Sequence, residues 1–158
     1  FSGPQRGGVT TVEEHDEYIV RQWNSVVSKN DIVYVLGDVC FDKTKLPILK
    51  RMNGNKHLIL GNHDQFTLEI YKPYFNKIHG FMKYKSAAWL SHAPIHPDEL
   101  RNCWNIHGHV HHNTLPDYRY INVGVEALNG KPISWDDLIA IMNRRRVTKE
   151  VTYETKVL

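Results

Sequence analysis

Apolar positions along the first quarter of the chain repeat at helical spacing. Thr11-Val12-Glu13-Glu14 has the form of a capping box, in which the Thr11 hydroxyl and the Glu14 carboxylate each satisfy an orphan amide, and Ile19, Trp23, Val26 and Val27 follow on one face. This spacing predicts a helix to about Ser28. Ile32-Val33-Tyr34-Val35-Leu36 is an unbroken β-prone run between Asn30-Asp31 and Gly37-Asp38, the pattern of a strand buried on both faces. His57-Leu58-Ile59-Leu60, ending at Gly61-Asn62, is a second such run, and between the two Leu46, Leu49 and Met52 return to helical spacing from Lys45 onward. Strand, helix and strand in that order predict a right-handed crossover and a parallel pair.

Further along, residues 67–74 read as a helix and residues 77–84, 87–90, 104–107 and 118–123 as strands. Ser134-Trp135-Asp136-Asp137 caps a last helix through Met142, and Val147, Val151 and Val157 alternate in a tail that reads as an edge strand or a loose terminus. Helices alternating with strands place the chain in the α/β class.

Composition narrows the picture. The 158 residues make one domain of ordinary globular usage, with 41% hydrophobic and 23% charged residues, which excludes a disordered or fibrous chain. No apolar run approaches the roughly 20 residues that span a bilayer, and the first nine residues lack a basic flank before a hydrophobic stretch. The expectation is a soluble, unsecreted, cytoplasmic protein without a membrane partner. Twenty Lys and Arg against 17 Asp and Glu give a net charge of +3, too mild to argue for a polyanionic partner. Cys40 and Cys103 are too few for a disulfide framework or a four-thiolate zinc site, and two reduced thiols are expected. The ten histidines stand out, and their placement decides what they mean.

Four predicted strands end in small groups of metal-ligand residue types. These are Gly37-Asp38, Gly61-Asn62-His63-Asp64, Ser91-His92-Ala93-Pro94 and Gly108-His109-Val110-His111. Taken singly, each suits turn chemistry or a hydrogen-bonded loop histidine. His109 and His111 carry more weight, because alternate residues of an extended segment point to one side and suit chelation. In layered α/β architectures the loops after the strand C-termini line one crevice, so four placements far apart in sequence can meet there.

These four groups, in this order, resemble the motifs of the calcineurin-like metallophosphoesterase family: GD, GNHD, a His before a small residue and Pro, and GHxH. Val12-Glu13-Glu14-His15-Asp16 with Trp23-Asn24, and Asn122-Val123-Gly124-Val125 followed by Lys131-Pro132-Ile133-Ser134, are similar to the small single-domain bacterial and phage members. The resemblance covers nearly the whole chain. It implies a two-sheet β-sandwich flanked by helices, a four-layer α/β/β/α arrangement, with a dinuclear metal site at the strand ends. The Asp-x-His that opens the family pattern is absent, so residues 1–158 are expected to form a single domain that lacks its first β-strand.

By the same resemblance, Asp38 bridges two divalent ions, Asn62, His92 and His109 complete the second site, and His111 belongs to the first, which is left incomplete. A nitrogen and oxygen donor set without thiolate suits Mn, Fe or Zn, with Mn favoured. The implied activity is hydrolysis of a phosphodiester or phosphomonoester by a hydroxide held between the ions. His63 is the candidate general acid, with Asp64 holding its ring and raising its pKa. A nucleotide or other small phosphoester is the favoured substrate; nucleic acid stays open, although no basic stripe with interleaved aromatics supports it. The competing reading is a catalytically impaired scaffold of the same fold that binds a protein partner. His96, His107 and Arg144-Arg145-Arg146 are set aside as a solvated loop residue, a residue facing the sheet interior and the solvated basic end of the last helix.

Overall fold

The computed structural model describes residues 11–150. Helix α1 (Val12–Asn24) starts at the predicted capping box: the Glu14 amide donates to Thr11 Oγ1 at 3.1 Å and the Thr11 amide to Glu14 Oε2 at 3.2 Å. It stops four residues before Ser28 because its last side chains are engaged elsewhere. Trp23 Nε1 donates to the Asn53 carbonyl at 2.9 Å, and Asn24 pairs with the backbone of Arg51 and Asn53.

Strands β1 (Ile32–Val35) and β2 (Asn55–Ile59) are parallel, as the crossover predicts. The segment joining them is a 3₁₀ helix (Lys43–Arg51) rather than an α-helix, with Pro47 inside it. Pro47 has no N–H to donate and disfavours α geometry at Leu46, which accounts for the tighter winding. Only β2 meets the expectation of burial on both faces: among the described residues β1 lies at the sheet edge, with Ile32 exposed and residues 33–35 half-buried.

The predicted helix at 67–74 contracts to one turn, α2 (Leu68–Tyr71), whose Thr67 makes no side-chain cap bond. The run at 77–84 divides. Its first part is β3 (Lys77–His79), parallel to β2, and its second is β4 (Met82–Tyr84), which enters a second sheet. Gly80 sits at this corner. Strand β4 pairs antiparallel with β5 (Ala88–Leu90), and β5, β6 (Trp104–His107) and β7 (Tyr120–Asn122) are mutually parallel. A short helix absent from the sequence reading, α3 (Pro97–Leu100), has Pro in its first turn, and the His96 ring caps the Asp98 amide.

Helix α4 (Trp135–Thr148) begins at the predicted Ser134 cap and extends past Met142. Arg145 corrects the solvated-end reading: it is buried, and its Nη1 donates to the Tyr120 carbonyl at 2.6 Å. Val147 lies in this helix rather than in an edge strand, and Val151 and Val157 fall outside the described residues.

The three-stranded sheet has two packed faces. Leu58 joins Val20, Leu46, Leu49, Met52, Tyr71 and Phe75 under α1, the 3₁₀ helix and α2. Its neighbour Ile59 faces the other way, toward Leu90, Ile106 and Ile121 of the second sheet and Ile141 of α4. The result is two sheets flanked by helices, as expected, and no helix among the described residues is long and apolar enough to cross a membrane. Cys40 and Cys103 are free thiols.

His57 is buried in β2, its ring edge-on to Tyr34 at 5.2 Å. Burial pushes its pKa below the ordinary 6.5, helped by the charges of Lys77 and His79. The folded state therefore binds this proton more weakly than the unfolded chain. Stability is full above pH of about 6.5 and falls as pH drops from there through the lower folded value. His57→Gln is expected to flatten that acid slope in urea unfolding followed from about pH 7.5 to 5.5; an unchanged slope would assign it to other groups.

Candidate metal centre

The crevice at the C-terminal ends of β1, β2, β5 and β6 collects residues from all four sequence groups. Asp38 follows β1 with a left-handed backbone (φ 52°), and Asn62, His63 and Asp64 follow β2. His92 follows β5, and His109 and His111 follow β6. The two sheets meet here directly, since His92 Nδ1 donates to the Leu36 carbonyl at 2.7 Å.

That bond sets the chemistry of the ring's other nitrogen. With Nδ1 carrying the proton, His92 Nε2 presents a lone pair. It lies 3.2 Å from Asp38 Oδ2, 3.0 Å from Asn62 Oδ1 and 2.9 Å from His109 Nδ1. With the ring neutral, the Asp38 and Asn62 oxygens and the His109 nitrogen face the same Nε2 lone pair. Oxygen and nitrogen donor atoms of four side chains converge on one point, an arrangement that suits a cation. Among the described residues, ligand atoms of Asp38, His92 and His109 all fall within 4.8 Å of one another. The residues therefore fit a divalent ion held by two imidazoles, a carboxylate and an amide oxygen.

Glycines make the approach possible. A Cβ on Gly37, whose φ is +79°, would lie 2.6 Å from the Gly61 backbone and 2.7 Å from His92 Nδ1. The two turns and the His92 ring are in contact through bare backbone.

Asp64 does something other than hold the His63 ring. Its Oδ2 accepts from the amides of Asp38 and Gly61, both at 2.8 Å, and its Oδ1 accepts from the Val39 amide at 3.0 Å. The carboxylate thus ties the loop after β1 to the loop after β2, with its oxygens occupied by backbone rather than imidazole. The Tyr71 hydroxyl, from the fully buried ring of α2, approaches Asp64 Oδ1 at 3.5 Å. Burial and then the Asp64 charge push the Tyr71 pKa up to about 12. His63 stands at the rim, its amide donating to Asp38 Oδ1 at 2.9 Å and its ring edge-on to Phe41 at 5.0 Å.

His111 is not drawn into the cluster of Asp38, His92 and His109. The segment carrying it is a turn rather than an extended strand: His109 and His111 have φ of 66° and 52°, so the same-side reading of alternate residues does not apply. The His111 side chain is 62% exposed and its Nδ1 lies 3.2 Å from Glu126 Oε1. Glu126 and Asn122 are the polar residues that sequence reasoning missed here; Asn122 carried only a family resemblance, and a lone Glu after Gly124-Val125 gives no spacing signal. His107 is buried, consistent with a residue facing the sheet interior, and His96 is exposed as a helix cap.

Known proteins share this sequence pattern and this fold. A crystal structure of a protein of unknown function from Aquifex aeolicus superposes with a TM-score of 0.65 at 31% identity, over 85% of this chain and 88% of that one. An uncharacterized protein of Methanocaldococcus jannaschii is 34% identical over 154 residues, which is 90% of this chain and 83% of that protein. The Gene 66 protein of Mycobacterium phage L5 is 30% identical over 172 residues, 84% of this chain and 83% of its own length. The model of the calcineurin-like phosphoesterases matches residues 7–153, a span that contains every strand end described above. With the fold, the order of the strand-end groups and the converging donors in accord, the chain belongs to the calcineurin-like phosphoesterase family.

Proposed function

We propose that the protein hydrolyses a phosphodiester or phosphomonoester with the help of divalent ions held at the ends of β1, β2, β5 and β6. The observation that carries this reading is the convergence of Asp38, Asn62 and His109 on Nε2 of His92. Asp38, Asn62, His92 and His109 would hold one ion, and Asp38 with His111 would contribute to a second. Mn²⁺ is the ion to test first among Mn, Fe and Zn. Such ions acidify water to a nucleophile at neutral pH and offset charge on the phosphoryl oxygens.

His63 would protonate the leaving-group oxygen. Its backbone amide is fixed by Asp38, and in this reading its ring is an acid rather than a ligand. Phe41 lies against that ring with 63% of its surface exposed, which favours an aryl or nucleoside leaving group that can pack on it. A small aromatic phosphoester is therefore the favoured substrate class.

The test is hydrolysis of bis-p-nitrophenyl phosphate and p-nitrophenyl phosphate with and without added Mn²⁺, with metal content measured on the same sample. His63→Ala is expected to lower kcat about 10²–10⁴-fold with metal content unchanged. Loss of metal in that variant would make His63 a ligand and remove its role as acid. Phe41→Ala is expected to reduce kcat/KM for an aryl or nucleoside ester by about 2–10-fold, corresponding to the loss of one aromatic contact, and to leave an alkyl phosphoester unaffected. Equal losses on both would show that Phe41 only positions His63. The second reading, an impaired scaffold, draws on the separation of His111 from the other ligands, and metal-independent inactivity of the full chain would favour it.

A further inference from the structure

The loop after β7 supplies none of the strand-end groups read from the sequence, yet it holds the segment that carries His111. Asn122, the last residue of β7, donates through Nδ2 to the His111 carbonyl at 2.7 Å and to the Asn113 carbonyl at 3.1 Å. Its own Oδ1 is fixed by the Gly124 amide at 2.9 Å. Four residues further, Glu126 is largely shielded, with 17% of its side chain exposed, and its Oε1 meets His111 Nδ1 at 3.2 Å. Backbone and ring of one histidine are thus both held from the same loop.

We propose that Glu126 is a positioning residue for His111. A carboxylate can only accept, so His111 Nδ1 carries the hydrogen in this contact, which leaves Nε2 as the ring's ligating atom. An imidazole fixed in that tautomer, with its ring plane set by a carboxylate, is the form that binds a metal ion through Nε2. His111 φ of 52° is an uncommon conformation for a non-glycine residue, and Asn122 holds the backbone there while Glu126 orients the ring. This inference rests on the reading of His111 as a ligand of one of the ions.

The experiment separates the two. In the full chain without metal, at alkaline pH, long-range ¹H–¹⁵N correlation of the His111 ring is expected to show hydrogen on Nδ1. In Glu126→Ala the population is expected to move to the Nε2-protonated form, whereas Glu126→Gln, whose amide oxygen still accepts, keeps the original form. Calorimetric titration with Mn²⁺ should show one class of site weakened about 10–100-fold by Glu126→Ala and restored to within about 3-fold by Glu126→Gln. If His111→Ala leaves the Mn²⁺ isotherm unchanged, His111 is not a ligand and the basis of the inference fails. If His111→Ala removes a class of site while Glu126→Ala alters neither tautomer nor affinity, the ligand reading stands and the positioning role is overturned. Loss of an ion in Glu126→Gln even at saturating Mn²⁺ would make Glu126 a ligand, which also overturns it.

Discussion

Asp64→Ala is expected to lower the unfolding free energy by about 3–5 kcal/mol and to weaken Mn²⁺ binding by about 10–100-fold, although Asp64 is not one of the proposed metal ligands. The reason is its three backbone partners. The amides of Asp38, Val39 and Gly61 all point at this carboxylate, at 2.8, 3.0 and 2.8 Å. Hydrogen bonds to a charged acceptor are each worth about 1.5–3 kcal/mol, and water can replace part of that sum because the contact is only partly buried. The remainder falls on two loops that carry Asp38 and Asn62, so the ligands lose their spacing along with the stability. Asp64→Asn keeps one acceptor oxygen and turns an NH₂ group toward a donor. It is expected to show more than half of the alanine effect. Urea unfolding and calorimetric Mn²⁺ titration of both variants decide the matter: a change below about 1 kcal/mol with native affinity would mean that the loops hold together without this residue.

The role of Asp64 also marks where sequence reading reaches its limit. The strand-end groups were legible because strand termini are local features: a β-prone run closed by Gly and a polar residue reads the same in isolation as in the fold. Convergence of Asp38, Asn62, His92 and His109 followed from the parallel pairs β1 with β2 and β5 with β6, which place like ends together. Which atoms face which could not be read. Asp64 is adjacent to His63 in sequence, and adjacency suggested a pair, but a turn directs neighbouring side chains to different partners and Asp64 faces the amides across the gap. Helix lengths escape the sequence pattern for a related reason. Pro47 tightens one helix into 3₁₀ form, and Asn24 ends another by bonding across to Arg51 and Asn53, both of which depend on what lies nearby in space. The split of residues 77–84 between two sheets was invisible because period-2 patterning survives a corner. A charge in a run reads as solvated, whereas the carbonyl of Tyr120 receives Arg145 inside the fold.

The closest packing in the crevice involves Gly61, and here the expected effect comes from adding atoms. Gly61→Ala would place a Cβ 2.6 Å from the Asp38 amide nitrogen and 3.0 Å from Cγ of the His92 ring. Asp38 Oδ1 lies against the same point and is a side-chain end, but the Asp38 amide and the His92 ring are not. The Asp38 backbone is held by Asp64, and the His92 ring is anchored to the Leu36 carbonyl on the opposite sheet. One methyl group therefore forces the two turns apart at the point where Asp38, Asn62 and His92 meet. Overpacking of this kind costs about 1–3 kcal/mol, and a displacement of even half an ångström spoils ligand geometry. Mn²⁺ affinity is expected to fall by at least about 100-fold, equivalent to about 2.7 kcal/mol of binding. Gly80→Ala supplies the control, because a Cβ there meets nothing within 4 Å, and its stability is expected to stay within about 0.5 kcal/mol of the parent. Should Gly61→Ala bind Mn²⁺ as the parent does, the turns must be able to separate freely, and the close contact of Gly61 with the loop after β1 and with the His92 ring would not be what sets the distance between the ligands.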